Sequence, residues 1–275
     1  MSVVVIGASG TTGRALTALL EAGGTPFRRA GRTPAAGTTA FDWHDPSTHR
    51  ALLDGATAVY AVPPPTTGDP LPAVRPLLDL ARRTGLPRLV LLGSLAVLPD
   101  APGAAELEAE VRGTPGWSVL RPAGFMQNFT GAHPLAARVR ERGELLSASG
   151  DGRVGWIDAR DVAAAAHAAL LADRTGSEHR LTGPQALSYP EAARIITERT
   201  GRAVQVVEVS ADELAGHFRA AGMPAPFADR LARYNAAVRD GGEGELTDGV
   251  TRLTGRAPRP FAGFVDDHRA EWVTG

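Results

Sequence analysis

Gly7, Gly10 and Gly13 stand three residues apart in Gly7-Ala8-Ser9-Gly10-Thr11-Thr12-Gly13-Arg14, directly after the apolar run Val3-Val4-Val5-Ile6. This spacing can hold an anion with backbone alone. The first glycine allows a tight turn, the second lets the chain approach a pyrophosphate with no Cβ in the way, and the third lets a helix pack closely on a strand. Amides in the first turn of that helix lack intrahelical acceptors, and the helix dipole is positive there, so phosphate is held without a lysine. Ser9, Thr11 and Thr12 fill the positions between the glycines and share the site. Strand, turn and helix occur in the order a dinucleotide requires.

The second chemical position is the end of the next strand, Thr25 to Ala30, where an acid binds the ribose of NAD and an arginine pairs the 2′-phosphate of NADP. Here the residues are Gly31-Arg32-Thr33-Pro34, with no acid before Asp42. Arg32 is therefore the candidate phosphate clamp, and the expected cofactor is NADP, with NADPH preferred over NADH. Arg28 and Arg29 alternate along the strand and point to opposite faces. Asp42, after a short strand from Thr38, either accepts from an adenine amino group or caps a turn.

Further along, Pro63-Pro64-Pro65 ends the strand Ala56 to Val62 at the sheet's carboxyl edge, where open α/β sheets bind ligands, so Pro63 joins the cofactor site. Ser94 follows the strand Arg88 to Gly93 and is either a reacting hydroxyl or a cap. Phe125, Met126 and Trp156, with Asn128, give the aromatic, thioether and amide mix that suits a planar ligand with few polar anchors; local core packing is the other reading of Phe125, Met126 and Phe129. His133 is a proton donor or a surface residue, the latter being the commoner fate of a lone histidine.

These residues need a doubly wound parallel sheet to carry them. Strands and helices alternate five times before the strand at Trp117 to Leu120, which is the α/β pattern. A short strand is expected at Val154 to Asp158, then an alanine-rich helix Val162 to Leu171 capped by Asp161, and a return strand from His179. Residues 1–187 are read as the Rossmann-like domain, with 123–157 supplying part of the substrate cleft. Residues 188–275 are read as a smaller, mainly helical substrate domain whose glycines and prolines, including Gly241-Gly242, mark connections that can gate access.

Composition narrows the chemistry. The 275 residues carry a net charge of −1, no cysteine, and 29 basic residues that are all arginine. Disulfides, thiolate nucleophiles and Schiff-base lysines are excluded, no metal site is expected, and no electrostatic footprint for nucleic acid exists. No apolar run approaches a membrane span and no secretory leader is seen, so a cytoplasmic protein with a small-molecule substrate is expected. Monomer and homodimer stay open.

Taken in order, the glycine motif, Phe41-Asp42-Trp43, Leu120-Arg121-Pro122, Phe125-Met126-Gln127-Asn128-Phe129, Arg160-Asp161-Val162-Ala163 and Leu181-Thr182-Gly183-Pro184 resemble the NmrA-like atypical short-chain dehydrogenase/reductases, most closely bacterial relatives of the ergot-alkaloid festuclavine-synthase group. The resemblance runs through the whole chain. It implies a nicotinamide dinucleotide in the Rossmann-like domain and a substrate cleft beside it. By position it gives Arg32 to NADPH, Asn128 and its neighbours to the nicotinamide, and Ser94 to the place of the catalytic serine of standard members. The chain departs from those members in lacking Tyr-x-x-x-Lys: Tyr60, Tyr189 and Tyr234 are followed four residues later by Pro64, Ala193 and Val238, and Glu108 stands in the helix that would carry the motif. An electron-poor acceptor, an iminium, imine or quinone, needs hydride positioning more than a proton donor. The expectation is an NADPH-dependent reductase of such an acceptor; the alternative is an NADP(H)-sensing regulator without turnover.

Overall fold

The computed structural model describes residues 2–33, 37–64, 69–95, 103–173, 176–241 and 243–273, so Pro34, Pro65 and Gly242 lie outside it. In chain order, β1 (Val3–Ile6), α1 (Thr11–Ala22), β2 (Phe27–Gly31), β3 (Thr38–Ala40), α2 (His49–Leu53), β4 (Ala58–Ala61) and α3 (Leu71–Thr84) come first. They are followed by β5 (Leu89–Leu92), α4 (Ala104–Arg112), β6 (Trp117–Pro122), α5 (Pro134–Arg142), β7 (Glu144–Ser147), α6 (Ala159–Leu171) and β8 (Ser177–Leu181). The remainder is α7 (Tyr189–Thr200), β9 (Gln205–Glu208), α8 (Ala211–Ala220), α9 (Ala225–Ala237), α10 (Gly249–Thr254), α11 (Phe261–Asp267) and α12 (Ala270–Val273).

Seven strands form one sheet in the order β3-β2-β1-β4-β5-β6-β8, with β1 to β6 paired in parallel. This is the doubly wound arrangement expected. Strand continuity follows from burial: all four residues of β1 and of β4 are closed off from solvent, which is why both read as unbroken apolar runs. The order reverses between β1 and β4, and that switch point is where such sheets leave a crevice at their carboxyl ends.

Packing divides the chain into two units that interleave: residues 1–122, 159–180 and 249–255 in one, and 123–158, 181–248 and 256–275 in the other. The single cut at 187/188 read from the sequence is simpler than this division. Residues 123–158 fold with the C-terminal helices, while α6 and α10 return to the sheet unit. The sheet unit's core includes Val4, Ile6, Leu77, Leu91 and Val119, and the second unit's core includes Phe129, Trp156, Phe218, Phe264 and Trp272.

Two local expectations are corrected, and one further segment gains its elements. Helix α6 begins at Ala159, so Asp161 lies inside its first turn rather than capping it, where its charge still complements the helix dipole. Residues 154–158 form no continuous strand: Val154 bridges Leu187 antiparallel and Ile157 bridges Phe125 in parallel, so the pairing partner changes across Gly155. The segment after Phe129, left unassigned by periodicity, forms α5 and β7, and β7 pairs in parallel with β9 in a separate two-stranded sheet.

Candidate functional site

At the end of β1 the chain turns at Gly7, whose φ of 83° disfavours any side chain, and a Cβ there would lie 3.0 Å from Cβ of Val62 just beyond β4. Gly13 is more constrained: a Cβ would sit 2.1 Å from the Gly7 carbonyl oxygen. Both glycines are required by the fold itself. Gly10 is different. It is exposed, has an ordinary φ of −75°, and a Cβ on it would meet only the Gly7 oxygen, at 3.2 Å. Beyond that one oxygen, the space in front of Gly10 is open.

That space faces the start of α1. Gly10 is the N-cap, and no side chain caps the helix, so its first amides are left to solvent or an anion. The turn is closed by the Gly10 amide on the Gly7 carbonyl at 2.9 Å, and Arg14 steadies it by donating to the Ser9 carbonyl at 2.5 Å. Ser9 and Thr11 are exposed beside it, while Thr12 is turned inward and accepts from the Tyr60 hydroxyl at 3.1 Å. Val62 and the half-buried Pro63 leave β4 next to this turn, at the switch point.

On the far side of β1 the arginines separate. Arg28 is consumed by structure, donating to the carbonyls of Leu52 and Asp54 at 3.1 and 2.6 Å, and Arg29 lies over the Phe27 ring at 5.0 Å. Arg32 follows the end of β2 and is exposed. Asp42 is held in place: its Oδ1 accepts from the His44 amide at 2.9 Å, and its carbonyl meets Nε2 of buried His49 at 3.0 Å. His49 also stacks on Phe41, centroids 5.2 Å apart. Sequence reading passed over His49; its place in the short helix after an Asp-Pro-Ser start was the available signal.

Ser94 lies beyond β5, half-buried, where Gly93 and Leu95 donate to the Leu120 and Pro122 carbonyls at 2.8 and 2.9 Å and extend the β5–β6 ladder past it. Beside it, Glu108 is 5% exposed and receives Arg121 through two nitrogens, with Arg121 and Arg112 both reaching on to Glu178 at 3.0 and 2.8 Å. This network fastens α4 to β6 and β8, a role that Glu108's sequence position did not disclose.

In the second unit the segment 125–129 is clamped from behind. The Met126 amide donates to the Ile157 carbonyl at 2.9 Å and Gln127 donates to the fully buried Asp158 at 3.1 Å. Met126 and Trp156 are closed into the core, Trp156 donating to the Leu187 carbonyl at 3.1 Å and meeting Phe129 edge-on at 5.0 Å. They support the segment rather than present a surface, whereas Phe125 and Asn128 remain half-buried. His133, expected at the surface, is half-buried instead: it caps α5 by accepting the Leu135 amide at 3.3 Å, and burial lowers its pKa to about 4. A 770 Å³ cavity in this unit, bordered by Arg153, Glu208, Arg239 and Glu245, contains none of these residues, and its two arginines are held by Glu191 and Glu208.

All three tyrosines are tied into the fold. Besides Tyr60, Tyr189 accepts from Asn235 at 2.8 Å and Tyr234 donates to Glu243 at 3.1 Å. Burial raises each phenol's pKa above its ordinary value.

A parallel sheet with a glycine turn and an uncapped helix at its switch point defines a Rossmann-like protein of the nucleotide-cofactor class. No family model matches the chain. It is 37% identical to the uncharacterized oxidoreductase YesF of Bacillus subtilis, over 99% of this chain and 96% of that one. It is 33% identical to agroclavine dehydrogenase of Claviceps fusiformis, over 99% of both, and 31% identical to the NAD(P)H azoreductase of Xenophilus azovorans, over 98% of both. Among solved structures, the Citrobacter sp. triphenylmethane reductase complexed with NADP(H) shares the fold with a TM-score of 0.84 at 22% identity, over 96% of this chain and 99% of that one. The negative transcriptional regulator NmrA in complex with NAD does so with a TM-score of 0.75 at 15% identity, over 98% of this chain and 95% of that one. The chain belongs to the festuclavine and agroclavine dehydrogenase group, it is an NAD(P)H-dependent oxidoreductase, and it shares its fold with NmrA. The alternative of a regulator without turnover gives way to that membership. Among the described residues, no helix is long and apolar enough to cross a membrane.

Proposed function

We propose that this protein is an NADPH-dependent reductase of small, electron-poor organic acceptors of the iminium, imine or quinone kind. The observation that carries this reading is the engagement of every phenol: with no lysine in the chain, and Tyr60, Tyr189 and Tyr234 each buried or half-buried and hydrogen-bonded within its own unit, no Tyr-Lys proton donor assembles. Carbonyl reduction needs such a donor as its alkoxide forms, whereas an iminium is already cationic and a quinone spreads charge over conjugated oxygens. The relatives point the same way, since an agroclavine dehydrogenase, a festuclavine dehydrogenase and an azoreductase lie at 31 to 33% identity.

The dinucleotide, when bound, supplies the hydride; the chain supplies placement. We assign the pyrophosphate to Gly7, Ser9, Gly10, Thr11, Thr12 and Gly13, the 2′-phosphate to Arg32, the adenine edge to Asp42 and the approach to the nicotinamide to Pro63. The open space at Gly10 and the uncapped first turn of α1 fit that group. In the second unit we assign Asn128 to acceptor orientation and Phe125 to apolar contact, with Met126 and Trp156 bracing that segment from the core; in the sheet unit Ser94 is the hydroxyl we assign to the reaction. The test is NADPH oxidation measured against naphthoquinones, cyclic iminium ions, azo dyes and simple ketones. We expect turnover with one or more of the first three and turnover at least 100-fold slower with ketones; ketones as the best substrates would overturn the reading.

A further inference from the structure

Tyr60 is fully buried in the middle of the sheet unit, and it is the sole tyrosine of that unit. Its strand, β4, lies between β1 and β5, and its Cα pairs with Val5, two residues before the Gly7 turn. Its neighbours Val59 and Ala61 point into the core cluster on one face of the sheet. Tyr60 points the other way, and its hydroxyl meets Oγ1 of Thr12 in the first turn of α1. A phenylalanine would fill the same apolar space without a polar atom to satisfy, so the hydroxyl is explained by what it holds.

Thr12 is the second residue of α1, between Thr11 and the crowded Gly13. Its β-branched side chain has few χ1 choices, and a hydrogen bond to one of them fixes the backbone that carries it. That backbone presents the first-turn amides that no side chain caps. Burial disfavours ionisation of the phenol, so Tyr60 stays a donor at every working pH. The same burial removes it from contact with an acceptor.

We propose that Tyr60 is a positioning residue for the dinucleotide: its hydroxyl locks Thr12, and through Thr12 the first-turn amides of α1, in the arrangement that receives the pyrophosphate. This rests on the assignment of the glycine turn as the pyrophosphate site. The bond acts on cofactor affinity and leaves the acceptor's contacts alone.

The experiment is a double-variant cycle read by NADPH titration and by steady-state kinetics of the full chain. Tyr60→Phe should raise the Kd and KM for NADPH about 3- to 10-fold, the range set by one net hydrogen bond. The kcat at saturating NADPH and the KM for the acceptor should stay within about 2-fold, because the bond spares the chemical step. Thr12→Val should weaken NADPH by a similar factor, and the double variant by no more than the worse single one. Thr12→Ser, which keeps the oxygen, should recover most of what Thr12→Val loses. Unchanged NADPH affinity in a Tyr60→Phe protein with a lowered unfolding midpoint overturns the proposal, because the bond then serves stability alone. Effects that multiply in the double variant overturn it as well, as does a 100-fold fall in kcat at saturating NADPH. Gly10→Val separates this from the reading beneath it. If Gly10→Val abolishes NADPH binding while Tyr60→Phe leaves it intact, only the positioning role fails; if Gly10→Val binds as well as the wild type, the pyrophosphate assignment fails and this proposal with it.

Discussion

Arginine is the strong cation of this chain, and around β2 its three copies do three different things. Arg28 serves the carbonyls at the end of α2, Arg29 packs over Phe27, and Arg32 stands exposed past the strand. The assignment of Arg32 to the 2′-phosphate predicts that NADPH binds more tightly than NADH, and that Arg32→Ala removes most of the difference. A charge-assisted bidentate contact is worth about 1.5–3 kcal/mol, or roughly 10- to 150-fold; equal affinities for the two cofactors in the wild type would show that Arg32 is a solvated loop residue. The glycines make a second prediction at this scale. Gly13→Ala places a Cβ 2.1 Å from the Gly7 oxygen, against backbone that cannot yield cheaply, so it should lower stability by at least about 2 kcal/mol, whereas Gly10→Ala should cost under about 1 kcal/mol while weakening NADPH. Thermal unfolding with and without NADPH reads both. The spacing of the three glycines was legible in the sequence because it is local. Their separate jobs were legible too, Gly7 and Gly13 for the fold and Gly10 for a ligand; how tightly Val62 and the Gly7 oxygen confine the first and third was not, since that depends on the end of β4 and on the return of α1 over the turn.

Elements were legible where a periodic pattern met a buried face, as in β1, α3 and α4, and illegible where pairing decided the matter. Strand β7 is four residues long and gains its strand character from β9, far along the chain. Helix α5 was hidden because Leu135 and Val139 are interspersed with Arg138, Arg140 and Arg142, which blurs the apolar stripe. The partnership of α4 with β6 and β8 was also beyond reach, because the carboxylate at Glu108 reveals itself only next to Arg121. That partnership predicts a measurable cost. Breaking a fully buried ion pair typically loses 3–5 kcal/mol; Arg121 keeps about a quarter of its side chain exposed, so Glu108→Gln should lose roughly 2–3 kcal/mol. Adding Arg121→Met should recover part of that, because the guanidinium, left with Glu178 as its remaining carboxylate, goes with it and Glu178 keeps Arg112. Urea unfolding of the single and double variants measures the coupling, and a double variant no more stable than Glu108→Gln would mean that the pair has no specific partnership.

For the whole molecule, the doubly wound sheet followed from alternation, but the interleaving of the two units did not, because which sheet or helix a segment returns to is a property of contacts. The departure of residues 123–158 from the sheet unit matters for stability, since it places His133 in the second unit, capping α5 and facing Phe218. Its pKa falls from 6.5 to about 4 because burial penalises the charged ring. The sign of the linkage follows. Between those two values the unfolded chain takes up a proton that the folded chain refuses, so stability falls as pH drops through that window and levels off below pH 4. A depression of this size corresponds to at most about 3 kcal/mol, reached near pH 4 and absent above pH 7. His167 and His179 are lowered by burial too, so the wild-type profile contains their share. His133→Asn isolates the effect: asparagine retains an acceptor for the Leu135 amide but does not titrate. We expect the wild type to lose about 2–3 kcal/mol more than His133→Asn between pH 7 and pH 4, measured by urea unfolding at each pH. Parallel profiles for the two proteins would mean that the His133 ring takes its proton in the folded state as readily as in the unfolded one.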